Sequence, residues 1–332
     1  MIAKTNNLKK YKKVIIIVSC ILAFIIVCLS TFLIVIKVGE KRLRDSLSFT
    51  DDTLNVGNAY GDEADAYYNG EAYYYNKELI NILVIGVDKN DKSDNTDHQA
   101  DALYLLSVDT DNKKVNVLSI SRNTLADIDI YDMNSEFLAT EKSQICLSYA
   151  YGKDDQHSSK LTCKAVSKLL YNLPINSYYT IFMDSIGDIV NAVGGVEVVL
   201  QEDMSHYKTN WTVGNKVVLY GKDALVYLQH RKNDNQTRVV RQQQFIKSFI
   251  TKAKSVVLKD LSLPSKLYEK FAKKSVTNVK PTSAVYLATK VLDAQFNINS
   301  LPGKVGFDGK YETFEIDENL LYEQILNIFY KK

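Results

Sequence analysis

Four arginines carry the first chemical signal in the chain. In "HRKNDNQTRVVRQQQF", residues 230–245, Arg231 arrives from a loop, and Arg238 and Arg241, three apart, share a face at what reads as the opening of a long helix. The exposed N–H groups of a helix start carry partial positive charge, so each arginine there costs roughly a few tenths of a kcal/mol unless an anion sits among them. Arg122 ends the apolar run "VLSISR". Forked guanidinium donors of this kind hold carboxylate or phosphate oxygens through paired, charge-assisted hydrogen bonds. Open α/β sheets bind ligands at the carboxyl ends of their strands, which makes Asp88 of "VIGVD" and Asp109 of "LLSVD" the carboxylates to compare with Arg122.

The elements that must position these residues follow from the hydrophobic pattern. "LINILVIGVD" and "DALYLLSVD" are near-continuous apolar runs of strand length, as expected of strands covered on both faces, and "DTDN" reads as a hairpin connection into "KKVNVLSISR". A helix is expected from about Leu161 to Tyr171, closed by Pro174. It is followed by a strand in "YYTIFM", a helix in "DSIGDIVNAV" with Asp184 as N-cap, and an exit through Gly194 into "GGVEVVL". "GKDALVYLQ", a helix opening near Arg238 and running toward Leu258, "TSAVYLATKVLDAQF" and "DENLLYEQILNIFY" all show three- and four-residue apolar spacing. The alternation predicts an α/β domain with a central mixed sheet and helices on both faces.

Composition narrows the function. The chain has 332 residues, 46% of them hydrophobic, enough for a substantial core. Forty-one basic against thirty-nine acidic residues give a net charge of +2, so no global field favours nucleic acid and an anion site must be local. No nucleophile-elbow, P-loop or zinc-protease motif is present, and His98, His157, His206 and His230 lack metal-ligand spacing. The acidic loop after Asp88 lacks the central glycine and closing glutamate of an EF-hand.

From Val14 to Ile36 the chain runs 23 residues without a charge, the length needed to cross a hydrocarbon core of about 30 Å. The expected organisation is a cytoplasmic head (1–13), a single transmembrane signal anchor (14–38), an extracytoplasmic stalk rich in Asp, Asn, Gly and Tyr (39–77) and the α/β domain (78–332). Cys146 and Cys163 lie in the domain, where an exported location permits a disulfide and burial as free thiols is equally open. Residues 260–332 match no signature and are expected to extend the domain as helices.

"NILVIGVD", "DALYLLSVD", "VLSISRNT", "SYAYG", "GGVEV" and "ALVYLQHRKNDNQTRVVRQQQF" together resemble the LytR-CpsA-Psr proteins of bacterial cell envelopes. The resemblance implies transfer of a polyprenyl-pyrophosphate-linked glycopolymer to peptidoglycan by a membrane-tethered enzyme that meets its lipid at the bilayer. It implies that Arg122, Arg231, Arg238 and Arg241 hold the pyrophosphate with help from Gln242 or Gln243, and that Asp88 and Asp101 bind Mg²⁺. Arg122 and Asp101 are then the catalytic pair. A long apolar tunnel should open beside Arg122 and Arg241 to shield the polyprenyl chain. Three family cations are replaced by Gln99, Gln144 and Gln229, while Cys146 and Asn123 also depart from the pattern. These losses keep a noncatalytic lipid-pyrophosphate-binding or regulatory paralogue open as the alternative.

Overall fold

A computed structural model describes residues 27, 30–45, 64–88, 98–132, 134–230, 235–260, 262–271 and 274–332. Helix α1 spans residues 30–44, and the short strands β1 (Ala66–Tyr68) and β2 (Glu71–Tyr75) follow. Next come β3 (Leu79–Val87), β4 (Ala100–Asp109), β5 (Lys114–Ile120), the hairpin β6 (Leu125–Tyr131) and β7 (Phe137–Gln144), a 3-10 turn at Ile145–Tyr149 and α2 (Asp155–Leu169). The middle of the chain gives β8 (Ser177–Phe182), α3 (Met183–Ala192), β9 (Val196–Val199), β10 (Lys216–Leu219), α4 (Gly221–Gln229) and the long α5 (Asn235–Val257). The last third supplies α6 (Leu263–Phe271), β11 (Ser275–Thr277), α7 (Pro281–Val291), β12 (Gln295–Ser300), β13 (Gly303–Phe307), β14 (Glu312–Ile316), α8 (Glu318–Phe329) and β15 (Tyr330–Lys331).

The expected mixed sheet is present, with strand order β11-β8-β3-β4-β5-β12. β3, β4 and β5 form an antiparallel meander, while β8 joins β3 and β12 joins β5 in parallel. On one face Leu83, Leu103, Leu105 and Leu118 pack against Val166 of α2 and Leu321, Ile325 and Phe329 of α8. The other face is shared. Ile80, Val115 and Val117 meet Leu43 of α1 and Tyr286 of α7, while α3, α4 and α5 build a second apolar layer with β9 and β10 around Val196, Trp211, Tyr227 and Phe245.

Several expectations are corrected here. α2 starts six residues before Leu161, because Asp154 accepts from the His157 backbone N–H at 2.7 Å and so caps a polar first turn with no apolar periodicity. Asp184 lies inside α3, whose cap position is taken by Phe182 with no side-chain cap bond. The stretch read as one helix through Phe296 ends at Val291, and parallel pairing with β5 draws Gln295–Ser300 into the sheet. Residues 260–332 are thus not only helical, since they supply both edge strands of the sheet. Gly194 and Gly195, at φ +81° and +83°, make the expected left-handed exit into β9.

The N-terminal segment is partly described. No helix among the described residues is long and apolar enough to cross a membrane, and residues 14–26, 28 and 29 of the expected span lie outside the described set, as do residues 46–63 of the expected stalk. The tyrosine-rich end of that stalk forms β1 and β2, and β2 pairs with β15, so it belongs to the folded domain. α1 also docks on the domain. A Cβ on Gly39 would stand 2.2 Å from the Thr282 carbonyl oxygen, and Ser283 Oγ donates to the Gly39 carbonyl at 3.1 Å. Cys146 and Cys163 are buried free thiols.

A buried ion network ties the β6–β7 hairpin to α2. The Asp129 side chain, 4% exposed, accepts from Lys164 Nζ and Lys168 Nζ, both at 2.9 Å, and from Thr140 Oγ1 at 2.7 Å. Burial alone would raise its pKa, but the two lysines and Thr140 outweigh burial and hold the carboxyl down at about 2. A depressed folded-state value contributes stability above the unfolded value near 3.8, and that contribution is lost as pH falls through about 2. Asp129→Asn should therefore lower unfolding free energy by about 3 kcal/mol at neutral pH. Urea unfolding at pH 7, 4 and 3 checks this, because the gap to wild type should begin to narrow only below about pH 4.

Candidate functional site

The site starts from an irregularity at the carboxyl end of β3. Gly86 faces Ala102 across the β3–β4 pair but Val87 faces Ala100, which leaves Asp101 as the extra residue of a β-bulge. In regular alternation Asp101 would point with Leu103 and Leu105 into the apolar layer under α2. The bulge turns it to the opposite face, where it lines a cavity together with Ala102, Tyr104 and Leu106. Asp88, exposed just beyond the end of β3, lines the same cavity. Asp109 is not part of this site. It lies at the other end of β4 and accepts from backbone and side-chain N–H groups of its own turn, including Asn112 Nδ2 at 2.9 Å.

Arg122 leaves the end of β5 and donates to the Asp101 carboxylate through one Nη and to the Gln99 side-chain carbonyl through the other. The second Nη also lies 3.6 Å from Cys146 Sγ. Gln99 thus holds Arg122 with an oxygen at a position where a cation would repel it. Burial pushes the Cys146 thiol pKa up while the neighbouring Arg122 opposes that shift.

The cavity has a volume of about 590 Å³ and a graded lining. Along α5 it is bounded by Arg238, Gln242, Phe245, Ile246, Phe249 and Ile250. That is one helix face, polar at its start and apolar for the rest of about 18 Å. β4 shows the same gradient from Asp101 to Leu106, and the two elements are aligned by a hydrogen bond from Tyr104 Oη to Gln242 Oε1 at 3.3 Å. Burial raises the Tyr104 pKa to about 12 against the pull of nearby Arg238, so the hydroxyl stays protonated and can donate. Ile186, Ile189 and Phe296 add to the apolar lining, and Gln229 adds a polar group to it.

The remaining expected ligands separate, and Arg122 itself adjoins the cavity through Asp101 without lining it, so the expected opening beside both Arg122 and Arg241 is not found. Arg241 does not line the cavity. It is 3% exposed, pairs with the Glu202 carboxylate, and donates to the Tyr227 carbonyl at 2.6 Å and to the His230 carbonyl. α5 opens at Asn235 rather than near Arg238, so Arg241 sits in the second turn and its anion is an internal carboxylate. Gln243 also points elsewhere, donating to Ser300 Oγ at 2.8 Å, whereas Gln242 faces the cavity. Arg231 lies outside the described residues. Gln144, another departure from the family pattern, donates to the Glu312 carbonyl at 2.7 Å. Tyr104 and Glu202 were not anticipated. Tyr104 could have been found from its place in the alternation of β4, but no sequence signal marks Glu202 as the partner of Arg241.

Among the described residues no three His, Cys, Asp or Glu side chains converge as a metal cluster. The two carboxylates on the cavity suit a cation that completes its coordination with substrate phosphates and water, as Mg²⁺ does.

Comparison with known proteins bears on the family and the fold. The LytR_cpsA_psr family model matches residues 49–326. The polyisoprenyl-teichoic acid–peptidoglycan teichoic acid transferase TagU of Enterococcus faecalis is 27% identical over 233 residues, 69% of this chain and 70% of that protein. TagV of Bacillus subtilis, a transferase of the same description, is 25% identical over 271 residues, covering 77% of this chain and 63% of TagV, so the chain spans less than two thirds of that relative. The crystal structure of Bacillus subtilis TagV superposes with a TM-score of 0.59 at 23% identity, over 76% of this chain and 96% of that one, a likeness of fold.

Proposed function

The chain belongs to the LytR-CpsA-Psr family, and from that premise we propose that it transfers a glycopolymer from a polyprenyl pyrophosphate carrier to peptidoglycan. The observation that carries this reading is the graded cavity, whose apolar trough suits a polyprenyl chain and whose polar lining groups are Asp88, Asp101, Gln229, Arg238 and Gln242. Sequestering such a chain from water is worth about 25 cal/mol per Å² of apolar surface. The domain would act outside the cytoplasm, held at the bilayer by the part of the apolar run from Val14 that precedes the docked portion of α1.

The reaction is a phosphoryl transfer, which relies mainly on positioning and charge stabilisation. An acceptor sugar hydroxyl attacks the glycan-linked phosphorus and the bridging P–O bond breaks. Polyprenyl phosphate leaves, and the hydroxyl proton balances its new charge. Arg122, oriented by Asp101 and Gln99, and Arg238 present guanidinium donors to the phosphate oxygens. Gln242, fixed by Tyr104, supplies an amide donor. Asp88 and Asp101 would hold Mg²⁺, which supplies further neutralisation of phosphate charge when bound. Arg231 is proposed with them on family resemblance alone. Arg241 is proposed as a positioning residue that fixes α4 against α5.

Binding of a polyprenyl pyrophosphate to the full chain in detergent tests this reading. Gln229→Arg adds a cation to the cavity lining and should tighten binding roughly tenfold, about 1.4 kcal/mol, just under the usual size of a charge-assisted contact. No affinity for the lipid in the wild-type chain would sink the proposal. Lipid binding without turnover would select the noncatalytic alternative.

A further inference from the structure

The cavity ends on a cation. From Asp101 its lining follows β4 through Ala102 and Tyr104 to Leu106, whose register partner on β5, Val117, is also in the lining. The next row of the same sheet face is Val108, Val115 and, on β12, Phe296. Val108 and Val115 are buried in the cluster with Leu43 and Tyr286, and of the three only Phe296 lines the cavity. On α5 the lining stops at Phe249 and Ile250, and the next position of that helix face, four residues after Ile250, is Lys254. Lys254 Nζ stands 4.9 Å from the centroid of the Phe296 ring and donates to the Ala294 carbonyl at 2.5 Å.

These contacts lie at opposite ends of the trough from the bond between Tyr104 and Gln242. From Gln242 to Lys254, α5 rises about 18 Å. From Tyr104 to Phe296 the sheet advances about 14 Å along the strands and about 10 Å across β5 to β12, or about 17 Å in all. The helix therefore crosses the trough diagonally and is pinned to the sheet at both ends.

We propose that Lys254 is the end stop of the lipid trough and sets the length of prenyl chain that the trough accepts. This rests on the lipid-carrier reading above. A chain that follows the α5 face past Ile250 meets an ammonium group held by a carbonyl oxygen and the face of an aromatic ring. An alkyl chain replaces neither partner, so advancing further strands the ammonium, and turning outward exposes the chain to water. Lys254 also suits the last turn of α5, where a cation is favourable. A role confined to the helix end would affect ligands of every length alike.

The test compares the affinity of the full chain in detergent, as wild type and as Lys254→Ala, for geranyl, farnesyl, geranylgeranyl and solanesyl pyrophosphate. Taking the ratio of the two proteins at each length cancels partition of the ligand into the micelle. The ratio should stay near one for chains too short to reach Phe296. It should rise to about tenfold in favour of Lys254→Ala for the longest, the gain from burying about two further methylene groups. Lys254→Arg keeps the cation and should follow wild type at every length. A ratio that does not change with chain length overturns the proposal, as does Lys254→Arg behaving like Lys254→Ala. Both outcomes leave the lipid-carrier reading standing, whereas a wild type with no affinity for any of these ligands removes that reading and the end stop with it.

Discussion

Replacing Arg122 by alanine should lower turnover by about 10²- to 10³-fold at saturating donor and acceptor, the size expected when one donor to developing charge is removed from a preorganised site. The reason lies in its partners. One Nη is held by Asp101 and the other by Gln99, so the guanidinium is oriented before any substrate arrives. Arg122→Lys keeps the charge but not the fork and should recover less than tenfold of the loss. The Arg122 side chain is 20% exposed and its loss leaves Asp101 without its partner, so some stability should be lost as well, and turnover is compared at a temperature where both proteins are fully folded. A wild-type turnover number in Arg122→Ala would remove Arg122 from the chemistry. Normal turnover at raised donor KM would instead make it a binding group.

Arg241→Ala should destabilise the fold by about 3 to 5 kcal/mol, because it strands a largely buried Glu202 carboxylate and deprives the Tyr227 and His230 carbonyls of their donor. This reverses the outcome expected for an arginine awaiting a ligand, whose removal from a helix start would leave the fold steady and weaken lipid binding. Chemical denaturation of Arg241→Ala, Glu202→Gln and the double variant measures the coupling, and the double variant should be less destabilised than the two single losses added. Unchanged stability accompanied by lost lipid affinity would return Arg241 to the site.

The contrast between Arg238 and Arg241 shows how far the sequence could be read. Residues three apart on a helix differ in direction by about 60° and in height by about 4.5 Å. That was enough to identify a shared neighbourhood, but α5 lies along the boundary between the cavity and α4, where this offset sends one side chain into the cavity and the other into the packed loop. The central strands were legible because burial on both faces leaves continuous apolar runs. β12 was not, because its partner β5 lies some 180 residues away in sequence and its pairing overrides a helical pattern. Asp101 illustrates a third case. Local alternation places it in phase with Leu103, and only the bulge opposite Gly86 and Val87 reverses that phase. Resemblance to the family singled out Asp101, which its own neighbourhood would have placed on the other face and which the bulge turns to the cavity.

The docking of α1 bears on how force passes through the molecule. Leu43 is 1% exposed in the core beneath α7, Gly39 lets the two helices touch at the Thr282 carbonyl, and Arg44 pairs with Glu78 at 2.9 Å, one residue before β3 begins. The helix from residue 30 to 44 is accordingly a lever fixed in the domain rather than a cord attached to it. Ile36, on the same helix, packs in the cluster that contains Leu106 and Phe296, two walls of the cavity. A force on this helix would therefore be borne by α7 and by the chain just before β3, on the side of the sheet that carries the cavity.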